Sequence, residues 1–331
     1  MKKSLFSAAA LTLALAAGSA FAADLPSRKA PPYVPPPPMW TGFYVGLNAG
    51  YTFSDSNNIW VNSGVIAVNG VVPVIISTVT GNSLVAAAAA ASQSGLAPAG
   101  NSGGFLGGGQ IGYNWRFASN FVAGVEADIQ GVAAGRGSSS VTNAVSLTGF
   151  GFPFFPGDFW ASQISASKSL DYLGTVRGRI GWLFTPTLLV YGTGGLAYGG
   201  VNASLNILSA PVRPAPPAFY SGMTGSAAFS DTRVGWTVGG GLEWMFMPNW
   251  SAKVEYLYYD LGSVALNGAP MASLGTGVFV TTPGLAYGMP PGAVAFATSA
   301  TARARFNGHI VRAGVNYHFN FGAPAAVLAK Y

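Results

Sequence analysis

The chain contains no cysteine, only two histidines, and very little charge. Without cysteine there is no disulfide framework and no thiolate metal or redox centre. Charged residues make up 8% of 331 residues, against about 25% in soluble globular chains. A soluble protein so poor in charge would show water a mostly apolar surface and aggregate. Long apolar helical spans are missing as well. Away from the N-terminus, no 18-residue run is free of Gly, Pro and amide residues, which argues against a helical membrane protein. Yet half of the residues are hydrophobic, 13% are aromatic and 46 are Gly. These figures point to a β-rich chain whose apolar surface faces something other than water.

The N-terminus indicates export. Lys2 and Lys3 precede an apolar stretch, Leu5 to Ala17, and Ala20-Phe21-Ala22 is an A-x-A cleavage site, so residues 1–22 are expected to be a removed signal peptide. Cleavage lowers the formal net charge from +6 to +4, too little to suggest a nucleic-acid partner. Residues 23–39 carry Pro-Pro-Tyr-Val-Pro-Pro-Pro-Pro at 31–38 and are expected to be a stiff polyproline II linker in the periplasm.

From Trp40 onward, Gly-rich runs alternate apolar with polar or small side chains and end in aromatics. Eight strands are expected, at 40–53, 104–117, 120–131, 168–184, 187–202, 230–247, 249–263 and 303–321. In the second, Phe105, Ile111, Tyr113, Trp115 and Phe117 share one face, and Gln110, Asn114 and Arg116 the other. That is the period of a strand. The few charges fall on the polar register: Arg116, Arg177, Arg179, Arg233, Lys253 and Arg312 with Glu126, Asp128, Asp171, Glu243 and Glu255. Facing lipid, each would cost roughly 2–4 kcal/mol near the midplane; facing inward, they can pair. An interior salt-bridge network of these eleven residues is expected.

The connections alternate in length. Tight turns follow Phe117, Phe184 and Phe246, flanked by Trp115, Phe117, Trp182, Phe184, Trp244, Phe246 and Trp250, with Tyr317 and Phe319 near the end of the last strand. These nine aromatics are expected at a membrane interface. Long segments, 54–103, 132–167, 203–229 and 264–302, separate the turns. The pattern predicts an all-β fold: an antiparallel eight-stranded transmembrane β-barrel over 40–321, with short periplasmic turns, long extracellular loops and a tail at 322–331. Closure removes the edges that an open apolar sheet would expose.

Ala23-Asp24-Leu25-Pro26, the proline run and Trp40-Thr41-Gly42-Phe43-Tyr44-Val45-Gly46-Leu47-Asn48-Ala49-Gly50-Tyr51 resemble the alphaproteobacterial outer-membrane immunogenic proteins of the opacity-type porin family. Val311 to Phe319 is similar to the closing strand of that family. The resemblance covers the barrel strands and implies the outer membrane as location. It also implies outer-membrane lipid and lipopolysaccharide as surroundings, and the barrel-assembly machinery as partner during insertion. The oligomeric state stays open, with a monomer favoured.

The loops hold four charges, Asp55, Arg136, Asp158 and Arg213. Gly64–Val68, Asn69-Gly70 and Val71–Ile76 form an extracellular hairpin signal. Ala86–Ala91 fits either a helical turn or disorder, and Phe152–Pro156 with Phe159-Trp160 is an aromatic cluster. Gly107-x-Gly109-x-x-Gly112 spells the dinucleotide fingerprint, but Tyr113-Asn114-Trp115 continues a strand where that motif needs a helix. His309 and His318 assemble no convincing catalytic set, and His318, on the inward register, is expected to be a hydrogen-bonded lumen residue. No catalytic activity, cofactor or metal is expected. Three readings remain open: a structural and surface-antigen protein with a filled lumen, a narrow porin for small hydrophilic solutes or ions, and adhesion or ligand capture by the loops.

Overall fold

The computed structural model describes residues 40–68, 77–100, 103–135, 137–148, 156–213, 220–268, 270–282, 285–289 and 291–319. The signal peptide, the proline-rich linker, the tail, Arg136, the second hairpin arm and Phe152 to Phe155 lie outside them.

Eight strands form the ring: β1 (Gly42–Ser54), β4 (Gly104–Phe117), β5 (Phe121–Ala134), β7 (Phe159–Thr185), β8 (Leu188–Val212), β9 (Met223–Met247), β10 (Trp250–Asn267) and β14 (Val294–His318). Each pairs antiparallel with the next in that order, and β14 closes on β1 from Tyr44↔His318 to Ser54↔Gly308. The tight turns join β4 to β5, β7 to β8 and β9 to β10. Ala118 sits in the first of these at φ 51°, a left-handed conformation that a three-residue connection imposes on it.

Outward side chains define a membrane band between two aromatic rings. At the turn end lie Trp115, Phe117, Trp182, Phe184, Trp244, Phe246, Trp250, Tyr317 and Phe319, joined by ring contacts such as Trp115–Phe117 and Trp250–Tyr317. At the other end lie Tyr51, Phe53, Phe105, Trp236, Tyr258 and His309, linked by the Tyr51–Phe53, Trp236–Tyr258 and Tyr258–His309 ring contacts. Sequence reading missed this second ring, because none of its members lies beside a short turn: Phe53 and Phe105 border a long segment, and Trp236, Tyr258 and His309 sit inside longer strands. Between the rings the outer face carries exposed Leu47, Ile111, Val125, Val176, Ile180, Leu196 and Leu242. Trp236 and Trp244 are eight residues apart on β9, and Phe43 and Phe53 ten apart on β1. At about 3.3 Å per residue and a tilt of about 40°, that gives a band about 20–25 Å tall.

Several strands run well past the expected ends. The β7–β8 ladder continues from Thr185↔Leu188 to Phe159↔Val212, and β8–β9 pairing reaches Ser209↔Met223. Segments expected as loops are therefore largely wall. The wall is completed by β2 (Asn58–Val68), paired with β14, by β3 (Gly95–Pro98), paired with β2, by β6 (Ser138–Ser146), paired with β7, and by β11 (Met271–Leu274), paired with β14. β12 (Gly277–Thr282) and β13 (Leu285–Met289) form a separate hairpin. The first expected hairpin arm, Gly64–Val68, belongs to β2.

This upper half holds the main apolar core. Helix α1 (Ser77–Ser92) carries no charge and buries Val85, Ala86, Ala88, Ala89 and Ala90 among Ile59, Val61, Trp160, Ile164, Leu205 and Phe296. The upper wall covers most of the helix, and of its described side chains only the stripe of small residues Ser83, Ala87 and Ala91 stays exposed. Just past it, Gln93 is fully buried, donating to Ser209 Oγ (3.1 Å) and accepting from Ser63 (2.7 Å) and Thr298 (3.0 Å). One amide thus ties β2, β8 and β14 to the end of the helix.

Candidate functional site

Below that core, within the membrane band, the lumen is polar. Tyr44 faces Gly112 across the β1–β4 ladder. A Cβ at Gly112 would fall 2.4 Å from the Tyr44 ring, so only glycine lets the phenol lie flat there. From that position Tyr44 donates to Glu126 Oε2 at 2.6 Å.

Eight of the eleven expected charges meet around this point. Arg177 on β7 contacts Glu126, Asp128 (2.9 Å) and Glu255 (3.0 Å). Arg312 on β14 contacts Asp128 (2.8 Å) and Glu255. Lys253 on β10 is 2.9 Å from Glu126, and Arg179 on β7 is 2.6 Å from Glu243. Four acids thus meet four bases, and no side chain among them exceeds 3% exposure. The remaining carboxylate positions are also served. Thr175 donates to Asp128 (2.8 Å), Tyr191 to Glu255 (3.1 Å), and Ser251 and Asn316 to Glu243 (2.6 and 2.8 Å). The Arg179 guanidinium also stacks 4.0 Å from the Tyr191 ring centre. Taking ions out of water costs several kcal/mol each unless they are paired and hydrogen-bonded; here every carboxylate is served, while Arg179 Nε and Arg312 Nη1 are buried without a hydrogen-bond partner.

Three expected members lie elsewhere. Asp171 is the extra residue of a bulge, because Leu170↔Val201 and Tyr172↔Gly200 are successive rungs that skip it. It is exposed and accepts from Asn202 at 2.8 Å. Arg116 lies at the turn end, where its Nε donates to Ser119 O at 3.0 Å. Arg233 lies beyond the last β9–β10 pair, Asp260↔Trp236, and reaches Ser263 O at 3.5 Å. Alternation alone could reveal neither a bulge nor the height at which a residue sits. Conversely, Tyr44 and Tyr191 were not singled out as inward residues from sequence, although their parity was available; Thr175 and Asn316 fall on the polar register in sequence but were not placed in the network.

His318 lies in the same lumen, 2.9 Å from Ser251 Oγ and 3.5 Å from Glu243. Serine, histidine and acid thus come together, but Ser251 and Glu243 both meet the same ring nitrogen, Nε2, and both are wholly buried. A relay needs the acid on the opposite nitrogen from the nucleophile, so this is a hydrogen-bonded cluster without the geometry of a triad. His309 is on the outer face, with its Nδ1 2.6 Å from Tyr256 OH. Gly107, Gly109 and Gly112 lie within β4, which runs on to Phe117 without a helix.

A closed antiparallel ring with an apolar band between two aromatic girdles and its polar groups turned inward is a transmembrane β-barrel. The chain belongs to the outer membrane protein beta-barrel domain family, whose profile it matches over residues 7–319. The 31 kDa outer-membrane immunogenic protein of Brucella melitensis biotype 1 is 34% identical over 258 residues, 75% of this chain and 84% of that protein. The 22 kDa outer membrane protein of Rhizobium leguminosarum bv. viciae is 30% identical over 158 residues, 47% of this chain and 53% of that protein. Among solved structures, outer membrane protein OprG of Pseudomonas aeruginosa aligns with a TM-score of 0.32 at 9% identity, over 85% of this chain and 99% of that one. The protein resides in the bacterial outer membrane.

Proposed function

We propose that this protein is a closed, non-catalytic barrel that supports the outer membrane and displays its extracellular half as a surface antigen. The observation that carries this reading is the filled lumen. Eight charged side chains, each at most 3% exposed, bridge the ring from strand to opposite strand, and α1 with its apolar shell occupies the barrel above them. An eight-stranded barrel is only wide enough for its own side chains. Antigen display fits the rise of the wall beyond the membrane band, and the Brucella relative is named an immunogenic protein.

Planar-bilayer recording of the refolded mature protein tests the reading. Wild-type protein, shown to be folded by its heat-modifiable gel mobility, is expected to give no discrete conductance. Reproducible channel steps would replace this reading with that of a narrow porin for small ions.

A further inference from the structure

The described cations outside the lumen are unevenly placed. Lys168 is enclosed, Arg213 pairs with buried Asp158 at 3.2 Å, and Arg116 closes a turn at the periplasmic end. The three that remain, Arg233, Arg303 and Arg305, converge on one patch of the outer wall. Arg303 and Arg305 alternate on β14 and are both exposed, which sets their Cα atoms about 7 Å apart on one face. Arg305 faces Ser263 across the β10–β14 ladder. Arg233 arrives from β9 and donates to the carbonyl of that same Ser263. It can reach there because β9 and β10 stop pairing at Asp260↔Trp236, where Gly262 (φ 79°) bulges β10.

Charge is only partly cancelled in the patch. Asp260 takes Arg305 at 2.6 Å, and the Asp231 carboxylate accepts from the amide of Thr232 at 2.7 Å. Among the described residues, Arg303 has no ion pair, and Arg233 Nε, shielded from solvent, has no hydrogen-bond partner. The height of the patch is equally specific. Arg305 lies four residues beyond His309, and Arg233 three before Trp236, both members of the outer aromatic ring. At about 3.3 Å per residue on a tilted strand, Arg233 and Arg305 stand within about 10 Å of that ring, and Arg303, six residues from His309, about 15 Å from it. That is the headgroup layer of the outer leaflet. Beside Arg303 in the β2–β14 ladder, Trp60 is 64% exposed, adding an apolar face next to the charge.

We propose that Arg233, Arg303 and Arg305 form a binding site for the phosphate of a phosphorylated glycolipid headgroup in the outer leaflet. Guanidinium forks match phosphate oxygens bidentately, and a lipid-borne phosphate is delivered at this height, whereas a free anion has no reason to prefer it. The site depends on the membrane band and not on whether the lumen conducts.

The test uses mature protein refolded into phosphatidylcholine vesicles doped with bisphosphorylated lipid A, then extracted gently for native mass spectrometry. Each basic residue near an anionic surface contributes about fivefold in affinity. R233Q/R303Q/R305Q is therefore expected to lose lipid A retention by about a hundredfold, while R116Q retains it like wild type. Dephosphorylated lipid A is expected to be lost by wild type to the same degree, and inorganic phosphate at equal concentration to leave bound lipid A in place. Retention by the triple variant, equal retention of dephosphorylated lipid A, or displacement by inorganic phosphate each overturns the assignment. If the triple variant does not fold, R303Q alone replaces it, because Arg303 is exposed and unpaired; a fivefold loss supports the site and an unchanged retention refutes it.

Discussion

Lys253 Nζ lies 2.9 Å from Glu126 Oε1, although their strands, β10 and β5, stand opposite one another in the ring of eight. No ladder brings them together; only the lumen does. A contact of that length across the full diameter leaves no open path at its level.

The pair should therefore behave as a buried ion pair and not as a surface one. Lys253→Met leaves the buried network one positive charge short, with Glu126 held by Arg177 and Tyr44 alone among its close partners, and is expected to cost about 3–5 kcal/mol. The double variant Lys253→Met/Glu126→Gln is expected to recover a good part of that loss. Urea midpoints in lipid vesicles, followed by tryptophan fluorescence, give both numbers. Additive losses in the double variant would mean that the two residues do not share one interaction.

Two obstructions stand in series, so removing one should not open the barrel. Arg312→Ala alone, and replacement of Ser77–Ser92 by a short Gly-Ser linker alone, are both expected to stay silent in planar bilayers. The combination is expected to conduct. Steady channel steps from Arg312→Ala alone would show that the lumen network is the sole barrier.

The ring, its order and its charged interior were legible from alternation, because a lipid-facing strand leaves its charges a single side to occupy. Trp115, Trp182 and Trp244 marked their girdle for the same reason, lying beside short turns. The upper half was not legible. Its strands swap apolar exterior for apolar interior, as with Trp160, Ile164, Leu205 and Ile207, and stretches such as Ser165 to Ser167 offer only small residues to either face. Helix α1 has six successive alanines, Ala86–Ala91, which state no face until a wall surrounds them. Asp171 misled because one extra residue reverses the parity of everything beyond it.

That bulge makes an unusual deletion tolerable. Leu170↔Val201 and Tyr172↔Gly200 already occupy consecutive rungs, so removing Asp171 leaves every other side chain of β7 on its present face. The deletion variant is expected to fold and to keep its heat-modifiable mobility. Deletion of Gly174 in the regular part of the strand reverses the facing of Arg177 or of the segment above it, and is expected to abolish folding. Equal behaviour of the two deletions would contradict the assigned bulge.

Trp160 anchors the upper core: it is fully buried, donates to Ser209 Oγ at 2.7 Å and packs against Tyr220 and Phe296. Trp160→Ala is expected to cost about 3–5 kcal/mol, confined to the half of the barrel that holds α1. Proteinase K should then cut upper segments of the variant in intact vesicles while the membrane band survives as protected fragments. Loss of protection throughout the barrel would show that the two halves fold as one unit.

Lys168 lies on β7 above the membrane band, where its ammonium donates to Ser56 O and Arg305 O and sits 4.9 Å from the Phe306 ring centre. Burial pulls its pKa down to about 8 from 10.5, against the smaller upward effect of Asp55. The unfolded chain thus holds this proton over a pH range where the folded chain has released it, so Lys168 makes stability rise with pH between about 8 and about 10.5. Below that window the charged lysine carries its full desolvation cost. Lys168→Met has no proton to lose, and its urea midpoint is expected to lack this contribution, giving a flatter profile between pH 8 and 10.5. A wild-type midpoint that falls relative to the variant over the same window would reverse the sign and place the lysine in a stabilising ion pair instead.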